Sequence, residues 1–246
     1  MVKGILLAAG EGTRLRPLTL DRPKAMVKVG GWPAVAYALE WLRAAGVGEV
    51  AINLCRHPEV LQDFVGDGAR FGVRARYSVE APDALGTAGA LAPLHEFFRG
   101  EEAFVVLYGD VLTNLDLAPV LAQHRRMDAD ATIVVSRVEN PAESGMVVFD
   151  DARRVLRFVE KPAPGTAPSE WGNSGIYVCG GRVLDYVGGP VPLDFAYHVF
   201  PRMLADGCCV AAYPTTASVF EFGSIERLAR AAAAVTKGIV RAPVRA

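Results

Sequence analysis

Near its start the chain places two glycines and several cations directly after an apolar run. The stretch 2–24 reads VKGILLAAGEGTRLRPLTLDRPK. Glycines let backbone N–H groups approach an anion, and nearby cations balance the anion's charge. A buried strand followed by this pattern predicts a phosphate-binding loop. The candidate contacts in it are Ala8, Gly10, Gly12, Thr13, Arg14 and Lys24.

The residues after Gly12 exclude two widespread phosphate loops. A dinucleotide fingerprint needs a third glycine where Leu15 stands, and its helix would be interrupted by Pro17 and Pro23. A Walker loop needs Gly-Lys-Ser/Thr, which the stretch lacks. We therefore expect a long basic loop that covers a phosphate chain. The alternative is a surface turn with solvated arginines.

A carboxylate suited to a metal ion follows another apolar run. Residues 103–108 read as a buried strand, and Gly109-Asp110 comes directly after it. Mg²⁺ takes one or two protein carboxylates and completes its octahedron with water and phosphate oxygens. Asp110 is therefore a candidate Mg²⁺ ligand, with a structural turn as the alternative.

A third candidate segment, 80–91, reads EAPDALGTAGAL and leaves a predicted strand at 73–79. Glycine-rich backbone at the carboxyl end of a strand lies where open α/β sheets bind ligands. The segment is therefore a candidate ligand-binding loop, with Glu80 at its start. The alternative is an ordinary helix N-terminus with acidic residues.

The elements that position these residues alternate between strand and helix. Strands at 4–9, 49–54 and 73–79 flank helices at 33–45 and 58–65, which predicts a parallel sheet. The second half breaks this rhythm, with a hairpin of 145–149 and 155–160 among its strands. Further expected elements are a strand at 25–29, a helix that the segment 80–91 opens and that runs to Phe98, and a helix at 194–204.

Composition narrows the class of protein. The chain has 246 residues, half of them apolar, and a net charge of −1, which gives no indication of a nucleic-acid or membrane partner. Its four cysteines have no metal-ligand spacing, so we expect them to be reduced and buried, in a cytoplasmic protein. We expect one domain over residues 1–236 and a short basic tail at 237–246.

The loop resembles the signature of a known family. The run Gly10–Thr19 matches G-x-G-T-R-L-x-P-L-T of the sugar-1-phosphate nucleotidylyltransferases, and Pro23-Lys24 matches their downstream P-K. The resemblance extends to about residue 236. It implies an α/β, three-layer, Rossmann-like nucleotidyltransferase fold with a mixed, mostly parallel central sheet. No hexapeptide repeat follows, so we expect no C-terminal β-helix domain.

The same resemblance implies that the nucleobase binds at 80–91. There the Glu80 carboxylate could accept from both N1–H and the 2-amino group of guanine, a donor pair that thymine and uracil lack. L-G-T-A-G-A-L at 85–91 is similar to the version in mannose- and heptose-1-phosphate guanylyltransferases, whereas thymidylyl enzymes usually carry a glutamine-containing segment. This favours GTP. It adds Leu85, Gly86 and Thr87 to Glu80 as expected nucleotide contacts.

Three motifs in the second half resemble the sugar-binding motifs of the family. They are GMVV at 145–148, FVEKP at 158–162 and NSGIY at 173–177. The resemblance implies that Lys161 meets the sugar phosphate as a compact charge. An exposed hairpin pair is the alternative for Glu160 and Lys161. The expected sugar contacts are Gly109, Gly145, Glu160, Asn173 and Gly175.

One motif departs from the family. FEFGS at 220–224 resembles W-x-D-x-G-T, whose aspartate is the second metal ligand, but this chain has Glu221 there. The longer side chain could still reach a metal, with the backbone set back by about a methylene.

The implied reaction converts an NTP and a sugar 1-phosphate into an NDP-sugar and pyrophosphate. Arg14 would bind the β- and γ-phosphates and Lys24 the α-phosphate, while Asp110 and Glu221 hold Mg²⁺. One alternative is a thymidylyl- or uridylyltransferase acting on a hexose 1-phosphate. Another, favoured by Glu221, is a non-catalytic regulatory subunit that binds a nucleotide sugar. A dinucleotide-binding oxidoreductase is disfavoured by Leu15. We expect either a monomer or a homodimer.

Overall fold

A computed structural model of the chain describes residues 2–244. Its strands, in chain order, are β1 Val2–Leu7, β2 Lys28–Val29, β3 Trp32–Pro33, β4 Val47–Leu54, β5 Arg74–Val79, β6 Phe104–Tyr108, β7 Val111–Thr113, β8 Ala131–Arg137, β9 Gly145–Phe149, β10 Val155–Glu160, β11 Trp171–Cys179, β12 Val210–Pro214 and β13 Val219–Glu221. Its α-helices are α1 Ala34–Ala44, α2 Pro58–Val65, α3 His95–Phe98, α4 Ala118–Arg126, α5 Phe200–Ala205 and α6 Ile225–Thr236.

Shorter helical turns join these elements. The 3-10 turns are Thr13–Leu15, Lys24–Met26, Ala69–Phe71, Gly89–Leu94, Pro141–Glu143 and Gly181–Tyr186, and a π-helical turn covers Phe195–Val199.

The contacts divide the chain into two compact units. The first comprises the described parts of Met1–Ala84, Val105–Leu115 and Ala217–Ala246. The second comprises Leu85–Phe104 and Asp116–Thr216. A single domain over residues 1–236 stays a prediction.

The first unit has the predicted parallel arrangement. Strands β6, β1, β4 and β5 lie in that order, and the pairs β1–β4 and β4–β5 are parallel. Helix α1 begins after Pro33 and ends before Gly46, whose φ of +83° lies in the left-handed region that favours glycine. The parallel strands therefore end on the same side, where the loop after β1 begins.

A hydrophobic cluster in the first unit brings together the basic stretch and part of the tail. Leu15, at the centre of the basic stretch, is fully buried there with Val29 and Phe222. The predicted basic tail contributes Val240 to the same cluster, and the amide of Val244 donates to Glu40 Oε1 over 3.1 Å. The tail is therefore packed on this unit at Val240 and is hydrogen-bonded to it at residue 244. Its last two positions lie outside the described residues.

In the second unit the regular alternation of parallel strands with helices is interrupted, as predicted. Strand β8 pairs parallel with β12 and antiparallel with β11, while β9 pairs antiparallel with β10 and β11. The hairpin turns at Asp150-Asp151, as predicted, and its register places Gly145 opposite Glu160. The α/β class with a mixed, mostly parallel sheet is confirmed.

Several local predictions were wrong. The helix expected to run to Phe98 is a 3-10 turn followed by the four-residue α3, because Pro93 has no amide hydrogen to continue a longer helix. The strand expected at 25–29 begins with a 3-10 turn, Lys24–Met26. Of the four cysteines, all of them free, Cys179 and Cys208 are buried, but Cys55 and Cys209 are only partly so.

Among the described residues, none of the helices combines the length and apolar character needed to cross a membrane.

Candidate active site

The two glycines of the loop differ in what requires them. Gly12 has a φ of +63°, and a Cβ there would lie 3.0 Å from the Thr19 methyl and 3.1 Å from Lys24 Cβ. Gly10 has no positive φ, and among the described residues beyond its two chain neighbours no atom lies within 4 Å of the point a Cβ would occupy. The fold therefore explains Gly12, while Gly10 leaves open space in which an anion could approach the backbone.

Leu15 holds the loop while the residues around it face outward. The amide of Leu15 donates to the carbonyl of Gly12 over 2.8 Å, and the Thr19 hydroxyl donates to the same carbonyl over 2.8 Å. Thr13 and Arg14 are exposed. A buried anchor beneath exposed polar residues is the arrangement expected of a loop that covers a ligand.

Gly109 lets the next strand end come close to β1. Its amide donates to the carbonyl of Leu7 over 2.8 Å, and a Cβ at this position would lie 2.6 Å from that same oxygen. Any larger residue would push Asp110 away from the end of β1. The close approach of two backbones thus explains this glycine, and its predicted contact with sugar stays a prediction.

Lys24 and Asp110 form an ion pair between Nζ and Oδ2. Their side chains are only 14% and 16% exposed, and the ammonium also lies 5.7 Å from the centre of the Phe222 ring. The sequence prediction gave these residues separate partners, the α-phosphate and a metal ion. The structure brings them together.

The second predicted metal ligand lies beside the first. Strand β13 pairs antiparallel with β7, which places Glu221 opposite Val111, and the amide of Phe222 donates to the carbonyl of Asp110 over 3.1 Å. The Glu221 carboxylate is ion-paired with Arg227 of α6. Both predicted ligands therefore already have a cation as partner.

Gly223 accommodates two charged groups at once. A Cβ there would collide with the Glu221 carboxylate and would lie 2.9 Å from Arg14 Nη2. The guanidinium predicted to bind phosphate and the carboxylate predicted to bind metal therefore converge on this glycine. The FEFGS motif at 220–224 brings Arg14 and Glu221 together although they are far apart in sequence.

These carboxylates fit a hard divalent cation by their chemistry. Two carboxylates, one in the turn before β7 and one at the end of β13, suit Mg²⁺, which fills its remaining positions with water and phosphate. In the described part of the chain, His, Cys, Asp and Glu nowhere form a group of three or more that could hold a metal. The substrate's phosphates would have to complete such a site.

Glu80 is tied into a buried network that sequence reasoning missed. Its Oε1 accepts from Asn53 Nδ2 over 2.8 Å, and Asn53 Oδ1 accepts from the amide of Ala8 over 2.8 Å. Glu80 is 3% exposed. Asn53 gave only the weak signal of a polar residue near the end of a mostly apolar strand.

In the second unit, the segment 85–89 is fastened to the segment 193–195. The amides of Ala88 and Gly89 both donate to the carbonyl of Leu193 over 2.9 Å. Gly86 has a φ of +89°, and a Cβ there would collide with the Leu193 backbone. This contact explains why Gly86, the first glycine of L-G-T-A-G, is a glycine, without invoking a ligand.

Thr87 is occupied by the protein itself. Its hydroxyl donates to Asp194 Oδ1 over 2.9 Å and accepts from the amide of Phe195 over 3.0 Å. Its own amide also donates to Asp194 Oδ1, over 3.1 Å. Any nucleotide contact at this position would compete with these bonds, and the predicted roles of Leu85, Gly86 and Thr87 stay predictions.

Glu160, Lys161 and Gly145 meet at the open end of the β9–β10 hairpin. Gly145 is the position where a Cβ would strike the Glu160 carboxylate. Burial raises the pKa of Glu160, while Lys161 lowers it and Asp194 raises it further. Lys161 Nζ lies 3.5 Å from Glu160 Oε1, and its side chain is 58% exposed. The lysine is therefore accessible to an anionic ligand, and the carboxylate is held beneath it.

Asn173 is fixed at both ends of its amide group. Its Nδ2 donates to the Tyr177 hydroxyl over 2.7 Å, and its Oδ1 accepts from the amide of Gly175 over 3.0 Å. Gly175 has a φ of +68° and lies in an irregularity where β11 loses register with β8. The bulge turns this polar side chain back onto its own strand.

Comparison with known proteins places these features in a family. A model of the nucleotidyl transferase family matches residues 3–238. The chain belongs to this family. The match spans both compact units and every site residue named above.

Curated family members are similar over most of this chain. A UTP–glucose-1-phosphate uridylyltransferase from Synechocystis sp. is 37% identical over 84% of the chain, which spans 56% of that protein. A mannose-1-phosphate guanylyltransferase from Mycobacterium tuberculosis is 35% identical over 98% of the chain, which spans 67% of it. The catalytic subunit beta of the Dictyostelium discoideum mannose-1-phosphate guanylyltransferase is 33% identical, with 83% and 56% covered.

Solved structures share the nucleotidyltransferase fold. A Bacillus anthracis protein assigned as a glucose-1-phosphate thymidylyltransferase, in complex with sucrose, has a TM-score of 0.86 and 26% identity, with 95% of this chain and 94% of that chain covered. HddC from Yersinia pseudotuberculosis, complexed with GMP-PN, has a TM-score of 0.76 and 25% identity, with 95% and 99% covered. The predicted family and fold are therefore confirmed.

Proposed function

We propose that this chain transfers a nucleotidyl group from an NTP to a sugar 1-phosphate, releasing pyrophosphate. The observation that carries the proposal is that, in the first unit, the glycine loop, two cations and two carboxylates lie close to one another. Gly10 leaves its backbone open, Arg14 meets Glu221 at Gly223, and Lys24 contacts Asp110. The family's named enzymes supply the reaction type.

The reaction needs positioning and charge more than proton transfer. An oxygen of the sugar phosphate attacks the α-phosphorus, a new P–O bond forms, and the bond from the α-phosphorus to the bridging oxygen breaks. The nucleophile is already ionised, so no general base is required. The barrier is the approach of two anions and the charge that develops on the leaving pyrophosphate.

The roles of this chain's residues follow from that requirement. Arg14 neutralises the leaving pyrophosphate, Lys24 contacts the α-phosphate, and Lys161 binds the sugar phosphate. Lys24 reaches the α-phosphate only by giving up part of its contact with Asp110. The side chains that would hold Mg²⁺ are Asp110 and Glu221, and a bound Mg²⁺ would neutralise phosphate charge.

We further propose GTP and a mannose- or heptose-type sugar 1-phosphate as substrates. The guanylyltransferase relatives and the guanine-nucleotide complex of HddC support this choice. The uridylyltransferase relative and the thymidylyltransferase-like structure support the alternative, UTP or dTTP with a hexose 1-phosphate. Free thiols at all four cysteines support the proposed cytoplasmic location.

A non-catalytic regulatory subunit is the second candidate, because Glu221 is ion-paired with Arg227. A screen of GTP, UTP, dTTP, ATP and CTP against several sugar 1-phosphates, scored by pyrophosphate release, separates the candidates. We expect GTP with mannose 1-phosphate to react fastest. If no pair releases pyrophosphate but calorimetry detects nucleotide binding, the chain is a sensor and the catalytic proposal fails.

A further inference from the structure

Asn53 is a polar side chain buried between the ends of three strands. Strand register places it opposite Leu7 of β1 on one side and Ser78 of β5 on the other. Ala8, which begins the loop, directly follows Leu7, and Glu80 lies two residues beyond Ser78. Asn53 can therefore join the start of the candidate nucleotide loop to the end of β5.

Its hydrogen bonds allow only one orientation of the amide group. The amide of Ala8 is a donor, so Asn53 must present its oxygen there, and the observed distance is 2.8 Å. Its nitrogen then needs an acceptor, and Glu80 Oε1 lies 2.8 Å from it. If Asn53 flipped, donor would face donor at Ala8. Glu80 thus determines which end of Asn53 meets the loop.

The surroundings make these bonds difficult to replace. Asn53 and Glu80 are each 3% exposed and Ala8 is 4% exposed, so bulk water has little access to them. Glu80 is itself held, because its amide donates to the carbonyl of Leu54 over 2.7 Å. We call the hydrogen-bonded series Ala8–Asn53–Glu80 the relay. It connects the end of β5, strand β4 and the first residue of the loop through buried contacts.

We propose that Asn53 and Glu80 are positioning residues that set the start of the nucleotide loop. By holding the Ala8 amide they fix where the chain leaves β1, and hence where Gly10 and the residues after it meet a triphosphate. This inference rests on the proposed function and deepens it. It gives Glu80 a role different from direct recognition of guanine, the role that its position in the sequence suggested.

Exchanging the two polar groups tests the relay. In the double variant Asn53→Asp with Glu80→Gln, one oxygen of residue 53 accepts from Ala8 and the other accepts from the amide of residue 80. The hydrogen-bond pattern is thereby kept. Asn53→Leu removes both bonds at similar size. Glu80→Gln alone keeps a carbonyl acceptor for Asn53.

We expect Asn53→Leu to raise KM for GTP and for UTP by roughly 10-fold each, a loss typical of a misplaced binding loop. KM for the sugar 1-phosphate should stay within about twofold, because the loop contacts the nucleotide. The double variant and Glu80→Gln should both stay within about threefold of wild type for both nucleotides. Gln123→Leu is the matched control, since it removes a buried side-chain hydrogen bond to Ala212 within the second unit.

Several outcomes would overturn the relay. They are a wild-type KM in Asn53→Leu, an equal rise in KM for nucleotide and sugar phosphate, or a double variant as weak as Asn53→Leu. A change in the preference for GTP over UTP in Glu80→Gln would instead support direct base contact. If Asn53→Leu does not fold, the double variant decides: a folded protein with wild-type KM supports the relay, and any other result contradicts it.

The wild-type assay separates this inference from the proposed function. If the wild-type protein releases no pyrophosphate with any substrate pair, the proposed function fails. Calorimetric binding of GTP to the same variants then still tests the relay. If the wild type turns over and the variants behave like it, only the relay fails.

Discussion

The two compact units hold their candidate site residues in different ways. In the first unit, charged side chains are paired with one another, as Lys24 with Asp110 and Glu221 with Arg227. In the second unit, the polar site residues are mostly held by directional hydrogen bonds. The amide of Asn173 bonds to Tyr177 and Gly175.

The difference indicates which parts of the site rearrange when substrates bind. A paired cation can exchange its carboxylate for a phosphate, and a paired carboxylate can exchange its cation for a metal ion. The sign of the partner's charge stays the same, so the electrostatic cost is small. A side chain bonded to its own strand is already oriented and gains nothing by leaving. We therefore expect the first unit's side chains to change partners and those of the second unit to keep theirs.

The largest expected effect is at the ion pair of the first unit. Asp110→Asn keeps the shape of the side chain but removes the charge that balances Lys24 and would hold the metal. We expect turnover to fall by roughly 10³-fold, corresponding to the several kcal/mol that metal ions supply to such reactions. Pyrophosphate release at saturating Mg²⁺ measures this. Asp151→Asn, in the exposed hairpin turn, is the control, and an Asp110→Asn protein with the rate and Mg²⁺ dependence of that control would remove Asp110 from the site.

Arg14→Ala tests the other charged group in the first unit. Its guanidinium lies with Glu221 at Gly223, and its loss leaves the leaving pyrophosphate without a donor. We expect kcat to fall by roughly 10²-fold, as when other transition-state donors are removed. Single-turnover kinetics would isolate the chemical step. Arg22→Ala is the matched control, because Arg22 pairs with its neighbour Asp21 on the surface; equal rates in the two variants would refute the assigned role.

Lys24→Met sharpens the idea that first-unit residues exchange partners. Removing the ammonium leaves Asp110 without its cation, so a divalent ion no longer has to compete for the carboxylate. We expect Mn²⁺ binding in the absence of nucleotide to strengthen by roughly 10-fold, since a like charge in a partly buried site costs on this order. Electron paramagnetic resonance of free Mn²⁺ measures it. Lys161→Met should leave that affinity unchanged. Wild-type Mn²⁺ affinity in Lys24→Met would show that Lys24 does not compete with a divalent ion for the Asp110 carboxylate.

Local patterns were sufficient to predict the elements that position the site. The alternation of apolar strands with helices predicted the parallel pairs of the first unit, and α2 was predicted with the bounds observed. The position of Leu15 within the basic stretch excluded a dinucleotide-binding helix, and the structure buries this residue completely. Each of these inferences depends on neighbours in sequence, which is where periodicity and turn chemistry act.

The partners of the charged groups could not be predicted in this way. The Lys24–Asp110 pair joins residues 86 positions apart, and Asn53 links Ala8 to Glu80 across three strands. Such contacts depend on strand order and register, which no single segment encodes. The pairing of β7 with β13 was missed for the same reason, since three-residue strands carry almost no periodic signal.

The smallest expected effect concerns Glu160, the charged exception in the second unit. Burial raises its pKa above the ordinary value of 4.5, Lys161 partly offsets this, and Asp194 adds to it. The folded state then binds a proton more tightly than the unfolded state. Stability contributed by this group is present below pH 4.5 and is lost as the pH rises through the raised pKa.

Glu160→Gln removes this dependence, so the variant should become more stable relative to wild type as the pH rises from 4 to 7. Urea unfolding at intervals across that range measures the difference, and a difference independent of pH would contradict the assignment.

KM for the sugar 1-phosphate should also rise a few-fold in the wild type as the pH falls through the same window, because a protonated Glu160 accepts hydroxyl hydrogens less well. In Glu160→Gln that slope should become smaller, leaving the part that comes from the second ionisation of the sugar phosphate at about pH 6. A second-unit residue would then change its contribution with pH while keeping its place, unlike the ion pairs of the first unit.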